Sequence, residues 1–243
     1  MAFVKDGIRA VVFDYGNTLI EFGPAQIGAC DRAIAGAVEK LYGPVDLERL
    51  RAIRDANRMG LYEGDPPAYR ENDLHIITAD MVRQLYGVEP ARADVDEILR
   101  TRIEEFINIV RVQEEVRDLL GRLGQRYRLA MLSNYPTAEP IRKSLDKIGL
   151  APFFELVVVS ADLGYIKPHR LAFEAVTQGL GIDPSEILFV GDNWLADIQG
   201  AKRAGMWAAL TTQWIPYEHF ERHPGDHQPD FMIKDIVELE RYL

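Results

Sequence analysis

The feature that most constrains the fold is a series of short apolar runs rich in β-branched residues. These runs are residues 8–13, 127–132, 156–159, 187–190 and 207–211. Apolar residues with helical spacing lie between them, at 116–123, 138–148, 170–180 and 196–204. Apolar strands that alternate with helices are typical of a parallel sheet covered on both faces. The sequence therefore predicts an α/β fold with a doubly wound parallel sheet.

One long interval, residues 23–110, interrupts this alternation. It is poor in strand-like runs but has helical periodicity at 27–41, 47–58 and 74–85, with a Gly- and Pro-containing loop at 60–69. We predict a helical cap over 23–110, inserted into a core domain made of residues 1–22 and 111–243. Near the other end, residues 213–229 predict a surface loop, and residues 229–239 predict a last edge strand followed by a short helix.

Charge and cysteine content exclude several classes of protein. The chain has 243 residues, with 28 Lys and Arg against 38 Asp and Glu, which gives a net charge of −10. Such a field repels nucleic acid and anionic lipid, so we expect neither as a partner. A single cysteine, Cys30, excludes an internal disulfide framework, and residues 1–6 contain no export signal. We expect a soluble, cytoplasmic protein that is a monomer or a homodimer.

Polar residues follow the predicted strands, where ligands bind in open α/β sheets. In chain order they include Asp14, Thr18, Ser133, Asn134, Lys167, Asp192 and Asp197. A carboxylate can act as a nucleophile on phosphorus, which makes Asp14 the candidate nucleophile. Asp14 and Asp192 together offer the hard oxygen ligands that Mg²⁺ prefers. Lys167 and Ser133 can neutralise and hold a phosphoryl group, so this edge of the sheet is suited to phosphoryl transfer.

Four motifs of the sequence, in chain order, resemble those of the haloacid dehalogenase superfamily. The matching stretches are Asp14 with Thr18, residues 133–134, residues 160–168, and residues 189–206. The resemblance implies Mg²⁺ held by Asp14, by the backbone carbonyl of Gly16 and by Asp192. It also implies Asp14 and Lys167 as catalytic residues, Ser133, Asn134 and Lys167 on the phosphate, and Thr18 and Asp197 in support. The implied substrate is a small phosphorylated metabolite or a related anion, selected by the helical cap.

One position departs from the pattern of the phosphatases that the sequence resembles. They carry a second Asp two residues after the nucleophile, which protonates the leaving group, and this chain has Gly16 there. General acid–base catalysis contributes about 10²–10⁴-fold, so the absence predicts a weakened or specialised phosphatase unless another acid acts. Candidates for that acid are Glu21, Glu63, Asp65 and Glu71. A substrate with a good leaving group, such as an acyl or aryl phosphate, needs the acid less.

Two other activities and one role without catalysis stay open. Dehalogenases of the superfamily act without metal and lack the Gly191–Asp192 pair that this chain has. Phosphonate hydrolases carry a small residue at the position of Gly16 and use a cap lysine, and the one lysine of the cap interval is Lys40. The third alternative is a ligand-binding or regulatory protein without catalysis.

Overall fold

The computed structural model describes residues 5–243, so residues 1–4 and the part of the amino-terminal prediction that falls on them lie outside the described residues. Six parallel strands form one sheet in the order β3-β2-β1-β4-β5-β6. The strands are β1 Ala10–Phe13, β2 Arg128–Ser133, β3 Leu156–Val159, β4 Ile187–Gly191, β5 Trp207–Thr211 and β6 Phe231–Ile233. The predicted fold class is confirmed.

The sheet separates two apolar layers. Val11 and Phe13 of β1 pack into one layer, whereas Ala10 and Val12 pack into the other, because successive side chains of a strand point to opposite faces. Phe13 lies opposite Met131 of β2 and Val190 of β4. This register brings the carboxyl ends of the three central strands to one edge of the sheet.

Four of the five helices between β1 and β2 lie within residues 23–110. They are α1 Pro24–Tyr42, α2 Leu47–Gly60, α3 Leu74–Tyr86 and α4 Arg92–Ile109. We call residues 23–110 the insertion; it has an apolar cluster of its own, with Ile34, Leu50 and Val82 among its members. The three predicted helices are confirmed, but α4 was not predicted. The division into a core and a cap at residues 22/23 and 110/111 remains a prediction.

Five further helices follow the insertion. They are α5 Glu114–Leu123, α6 Ala138–Lys147, α7 Ser160–Leu163, α8 Arg170–Leu180 and α9 Gly200–Arg203. The helix predicted at 196–204 begins earlier, with a π-helical segment at Trp194–Gln199 that leads into α9. The chain ends in a 3₁₀ helix at Ile236–Arg241. No helix among the described residues has the length and apolar character needed to cross a membrane.

A short main-chain pairing, which we call the strap, joins the insertion to the sheet domain. The Ile166 amide donates to the Tyr69 carbonyl at 2.9 Å, and the Glu71 amide donates to the Gly164 carbonyl at 3.0 Å. Between these two bonds, Arg70 pairs with Tyr165 in an antiparallel bridge, and its guanidinium lies 5.0 Å from the centre of the Tyr165 ring. The strap thus places the insertion directly beside Lys167, the next residue along the chain.

Candidate active site

Three buried carboxylates meet at the carboxyl edge of the sheet. Asp14 follows β1 and Asp192 follows β4, whereas Asp197 comes from the π-helical segment after β4. The Asp14 amide donates to the Val190 carbonyl at 2.9 Å, which extends the pairing of β1 with β4 by one residue. One oxygen from each carboxylate lies within 4.8 Å of the others. The sequence prediction that these acids share one rim is therefore met by the geometry.

Lys167 lies among these acids and is almost fully buried. Its Nζ donates to Asp14 Oδ1 at 2.6 Å and to the Leu132 carbonyl at 2.9 Å, and it forms an ion pair with Asp197 Oδ1 at 2.7 Å. Burial by itself lowers the pKa of the Lys167 ammonium, but the charges of Asp14 and Asp197 raise it above its ordinary value. The ammonium therefore stays charged, and it balances carboxylates before any ligand arrives.

Asn134 holds the backbone of Lys167 rather than facing open space. Its Oδ1 accepts from the Lys167 amide at 2.8 Å, and its Nδ2 donates to the Lys167 carbonyl at 3.1 Å. Tyr62, a residue of the insertion, lines the same cavity as Asn134. The contacts of Asn134 suit a positioning role, whereas Ser133, buried at the end of β2, lies on the wall of the same cavity as Asp14.

The loop after Asp14 is held by local hydrogen bonds. Thr18, fully buried, donates from Oγ1 to Asp14 Oδ2 at 3.2 Å. Asn17 has a left-handed backbone with φ of 57°, and its Oδ1 accepts from the Phe22 amide at 2.9 Å. A Cβ atom added to Gly16 would meet only the Phe22 Cβ, at 3.5 Å, which is ordinary van der Waals contact. The surroundings of Gly16 therefore tolerate the Cβ atom of a side chain at this position.

Gly191 is required by the close approach of Asp197. A Cβ at position 191 would lie 2.4 Å from the carboxylate of Asp197, closer than non-bonded atoms can come. Asp197 Oδ2 accepts from the Asn193 amide at 2.9 Å, so the carboxylate is fixed where it stands. The glycine before Asp192 thus allows Asp197 to reach Lys167.

The charges of the site fit a divalent cation. Burial raises the pKa of Asp192 well above its ordinary value, and the charges of Asp14 and Asp197 raise it further. Burial likewise raises the pKa of Asp197, although Lys167 opposes the shift. Three carboxylates face a single ammonium, and Asp197 Oδ1 has no hydrogen-bond donor of good geometry among the described residues. A dication beside Asp14 and Asp192 would compensate the excess negative charge.

A cavity of about 400 Å³ extends from the carboxylates into the insertion. Gly16, Ser133 and Lys167 lie on its lower wall, and the upper wall is largely apolar. Two residues that the sequence analysis did not assign to the site, Tyr135 and Arg102, also line it. For Tyr135 the sequence offered one signal, because this residue directly follows Asn134. Nothing in the sequence distinguished Arg102 from the other arginines of the insertion.

The four candidate replacement acids separate clearly. Glu71 lines the cavity, whereas Glu21, Glu63 and Asp65 are exposed and are not part of its wall. Burial raises the pKa of Glu71, but its carboxylate is hydrogen-bonded to Ser160, at the end of β3. Glu71 is therefore held beside the end of β3, two strands along the sheet from β1, which carries Asp14.

Comparisons with known proteins agree with this site. A family model for haloacid dehalogenase-like hydrolases matches residues 8–205. The chain is 26% identical over 240 residues to a glyceraldehyde 3-phosphate phosphatase of Methanopyrus kandleri, which covers 97% of this chain and 98% of the relative. It is 24% identical over 240 residues to the N-acylneuraminate-9-phosphatase of Rattus norvegicus, covering 97% and 94%. A pyrophosphatase, PpaX of Bacillus pumilus, is 31% identical over 175 residues, covering 70% and 78%.

Solved structures share the fold along nearly the whole chain. A 2-haloacid dehalogenase from Pseudomonas syringae superposes with a TM-score of 0.73 at 23% identity and covers 97% of both chains. The hydrolase YfnB from Bacillus subtilis, solved with bound magnesium, gives a TM-score of 0.66 at 20% identity and covers 96% and 97%. At these identities the likeness shows the architecture, including the inserted helices, and nothing finer.

Proposed function

The chain belongs to the haloacid dehalogenase-like hydrolases, and from that membership we propose that it is a Mg²⁺-dependent phosphatase of a small phosphorylated metabolite. Three of its relatives carry the names of phosphatases or pyrophosphatases with different substrates. Those names support phosphate hydrolysis as the activity and select no single substrate. A cytoplasmic location and a monomer or homodimer stay predictions.

One observation supports this proposal above the others. Lys167 Nζ lies 2.6 Å from Asp14 and 2.7 Å from Asp197, beside the third carboxylate of Asp192, on the wall of a cavity large enough for a small molecule. Because Lys167 donates to one oxygen of Asp14 and Thr18 donates to the other, the carboxylate is held at the edge of the cavity, where it can act as a nucleophile. A site used only for binding anions gains nothing from three carboxylates on its floor.

In the proposed reaction Asp14 attacks the phosphorus of the substrate. An Oδ–P bond forms while the bond from phosphorus to the leaving oxygen breaks, and the electron pair of that bond stays with the leaving oxygen. Water then attacks the phosphorus of the aspartyl phosphate, which releases phosphate and restores the Asp14 carboxylate. We propose that Ser133 holds a phosphoryl oxygen, that Asn134 positions Lys167, and that Thr18 and Asp197 orient Asp14 and Lys167.

We propose that Asp14, the Gly16 carbonyl and Asp192 would hold the Mg²⁺ ion. When bound, the ion would neutralise negative charge on the phosphoryl group beside the carboxylates. Since Lys167 is already occupied by Asp14 and Asp197, it cannot supply that neutralisation by itself.

The absence of an acid at Gly16 shapes the substrate that we propose. With no carboxyl at that position, the leaving oxygen must depart as a stable anion or take its proton from water. We therefore propose a substrate with a good leaving group, such as an acyl or aryl phosphate, as the one turned over fastest.

A substrate panel tests the proposal. Aryl, acyl and alkyl phosphates, a phosphonate and a 2-haloacid are incubated with the protein, with and without MgCl₂, and phosphate and halide release are measured. We expect phosphate release that requires Mg²⁺, fastest for the acyl and aryl esters, and no turnover by Asp14→Asn. We also expect Asp192→Asn to weaken Mg²⁺ binding in calorimetry. Halide release without metal, or full activity of Asp14→Asn, would show that the proposal is wrong.

A further inference from the structure

Two guanidiniums of the insertion line the cavity without a salt bridge among the described residues, and Arg58 is exposed to solvent whereas Arg102 is not. Arg102, on α4, is half-buried and lines the same cavity as Asp14. Its guanidinium lies 5.9 Å from the centre of the Tyr135 ring, two residues beyond Ser133. No salt bridge joins Arg102 to a carboxylate among the described residues. The positive charge therefore stands above the end of β2, beside the phosphate-binding wall that we propose.

The two acids of the upper wall, Asp31 and Glu71, already have partners. Asp31 is buried and forms ion pairs with Arg51, at 3.4 Å, and with Arg54. Glu71 is hydrogen-bonded to Ser160, and burial raises its pKa whereas the charge of Arg102 lowers that pKa, although no salt bridge joins the two residues. A guanidinium that is partly withdrawn from water and left without an anion is unfavourable, and it becomes favourable when a ligand supplies the anion.

Apolar side chains line much of the same cavity. Phe22, Ile27, Ile53, Met81 and Phe106 are among them. A ligand that reached both ends would therefore place an apolar body between two anionic groups. The phosphate would lie near Ser133, and the second anion would lie near Arg102.

We propose that the substrate is a phosphate ester whose leaving alcohol or phenol has an apolar body and a separate carboxylate, and that Arg102 binds this carboxylate. The proposal rests on the phosphatase function proposed above and adds the class of its leaving group. A planar guanidinium binds a carboxylate with two parallel hydrogen bonds, which selects the orientation of the ligand as well as its charge. Arg102 is thus a specificity-determining residue in the proposed reaction.

Binding of uncleavable analogues tests this without turnover. Calorimetry with the full chain and MgCl₂ compares benzylphosphonate, its para-carboxylated form and its para-aminomethyl form. We expect the carboxylated analogue to bind about tenfold tighter than benzylphosphonate, the ratio that one charge-assisted hydrogen bond gives, and the cationic analogue to bind weakest. Arg102→Met removes this preference and leaves the affinity for benzylphosphonate within about threefold of the wild type, a difference worth under 1 kcal/mol.

The matched control is Arg100→Met, the same change on the same helix. Arg100 is exposed, is paired with Glu97 and lies outside the cavity wall, so this variant keeps the preference. The order of the three analogues on the wild-type protein decides the ligand class even if Arg102→Met does not fold. Equal binding of the charged and neutral analogues, or no binding of any of them, overturns the inference.

The two proposals fail separately. A preference for the carboxylated analogue, without phosphate release from any ester in the panel, removes the phosphatase function and keeps the carboxylate site. Phosphate release without that preference removes the carboxylate site alone. A preference that survives in Arg102→Met shows that another group recognises the carboxylate and contradicts the assignment to Arg102.

Discussion

The floor and the roof of the cavity treat charge in opposite ways. On the floor, Lys167 contacts Asp14 at 2.6 Å and Asp197 at 2.7 Å, and all three residues are buried. On the roof, Arg102 is partly exposed and lacks an acidic partner among the described residues. A floor held by these short contacts can keep the same arrangement whatever organic ligand enters. On the roof, the guanidinium of Arg102 can pair with an anionic group of the ligand, so its contacts depend on the charge of the ligand.

This difference separates chemistry from selectivity. The residues of the floor come from strand ends, which the sheet holds at fixed spacing. The residues of the roof come from helices that pack mainly on one another, so their side chains can change without disturbing the sheet. We expect substitutions on the floor to change stability and rate together, and substitutions on the roof to change preference among substrates.

The largest effect is expected from Lys167→Met. Removing the ammonium leaves Asp14 and Asp197 buried without a counter-charge, which costs about 3–5 kcal/mol of unfolding free energy. Urea denaturation at pH 7.5 measures this loss, and added MgCl₂ should restore part of it. Lys143→Met is the control, because its pair with Glu139 is exposed and contributes less than about 1 kcal/mol. If both variants lost a similar amount of unfolding free energy, the floor would not depend on the charge of Lys167.

Gly16→Asp is expected to have the next largest effect. It adds the missing acid in a place where a Cβ meets only ordinary contacts, and it should raise alkyl phosphate hydrolysis by about 10²-fold, equivalent to about 3 kcal/mol of barrier. Steady-state phosphate release measures the gain. Gly16→Asn has the same size without the acid and should show no gain. A folded Gly16→Asp variant with unchanged rates would indicate that another acid already acts or that the substrate is of another kind.

Gly191→Ala follows in size. Its methyl group would overlap the fixed carboxylate of Asp197, and relieving that overlap costs about 1–3 kcal/mol and displaces Asp197 from Lys167. Thermal unfolding and phosphate release should both decline. Gly36→Ala, inside α1 with no atom within 4 Å of the new methyl, should instead stabilise by about 0.5–1 kcal/mol. A neutral Gly191→Ala would show that the floor is looser than the close approach implies.

The smallest effect concerns Glu71 at the edge of the roof. Burial raises its pKa, so the folded protein keeps this proton to a higher pH than the unfolded chain does, and the resulting stability is lost as pH rises through that pKa. Glu71→Gln has no such proton, so its stability relative to wild type should increase from pH 4 to pH 8 in urea unfolding. Glu155→Gln should show the opposite trend, because a hydrogen bond from Arg128 lowers the pKa of Glu155. Parallel trends would contradict this account.

The sequence predicted the floor well because each of its parts has a local signal. An apolar run predicts a strand, and the polar residue that follows it is placed at the carboxyl edge by the topology of a parallel sheet. The strand at Leu156–Val159 and the helix at Arg170–Leu180 have the predicted bounds. Asn134 shows the limit of such reasoning, since its contacts with the Lys167 backbone depend on a loop 33 residues away.

The roof could not be predicted to the same depth. Helix α4 was missed because charged residues interrupt its apolar pattern, which leaves Val95, Ile98, Leu99 and Phe106 as its buried positions. The significance of Arg102 depends on which acids lie near it in space. Sequence spacing along one helix does not contain that information, because the partners come from other helices.

The strap between Tyr69–Glu71 and residues 164–166 gives the insertion a third attachment to the sheet, besides the two chain crossings near residues 22 and 110. A lid fixed at two neighbouring points can swing freely, whereas one fixed at three must first release the third. Release exchanges two main-chain hydrogen bonds for bonds to water, each worth about 1 kcal/mol. The residue after the strap is Lys167, so the strap ties the position of the insertion to the backbone that carries this ammonium.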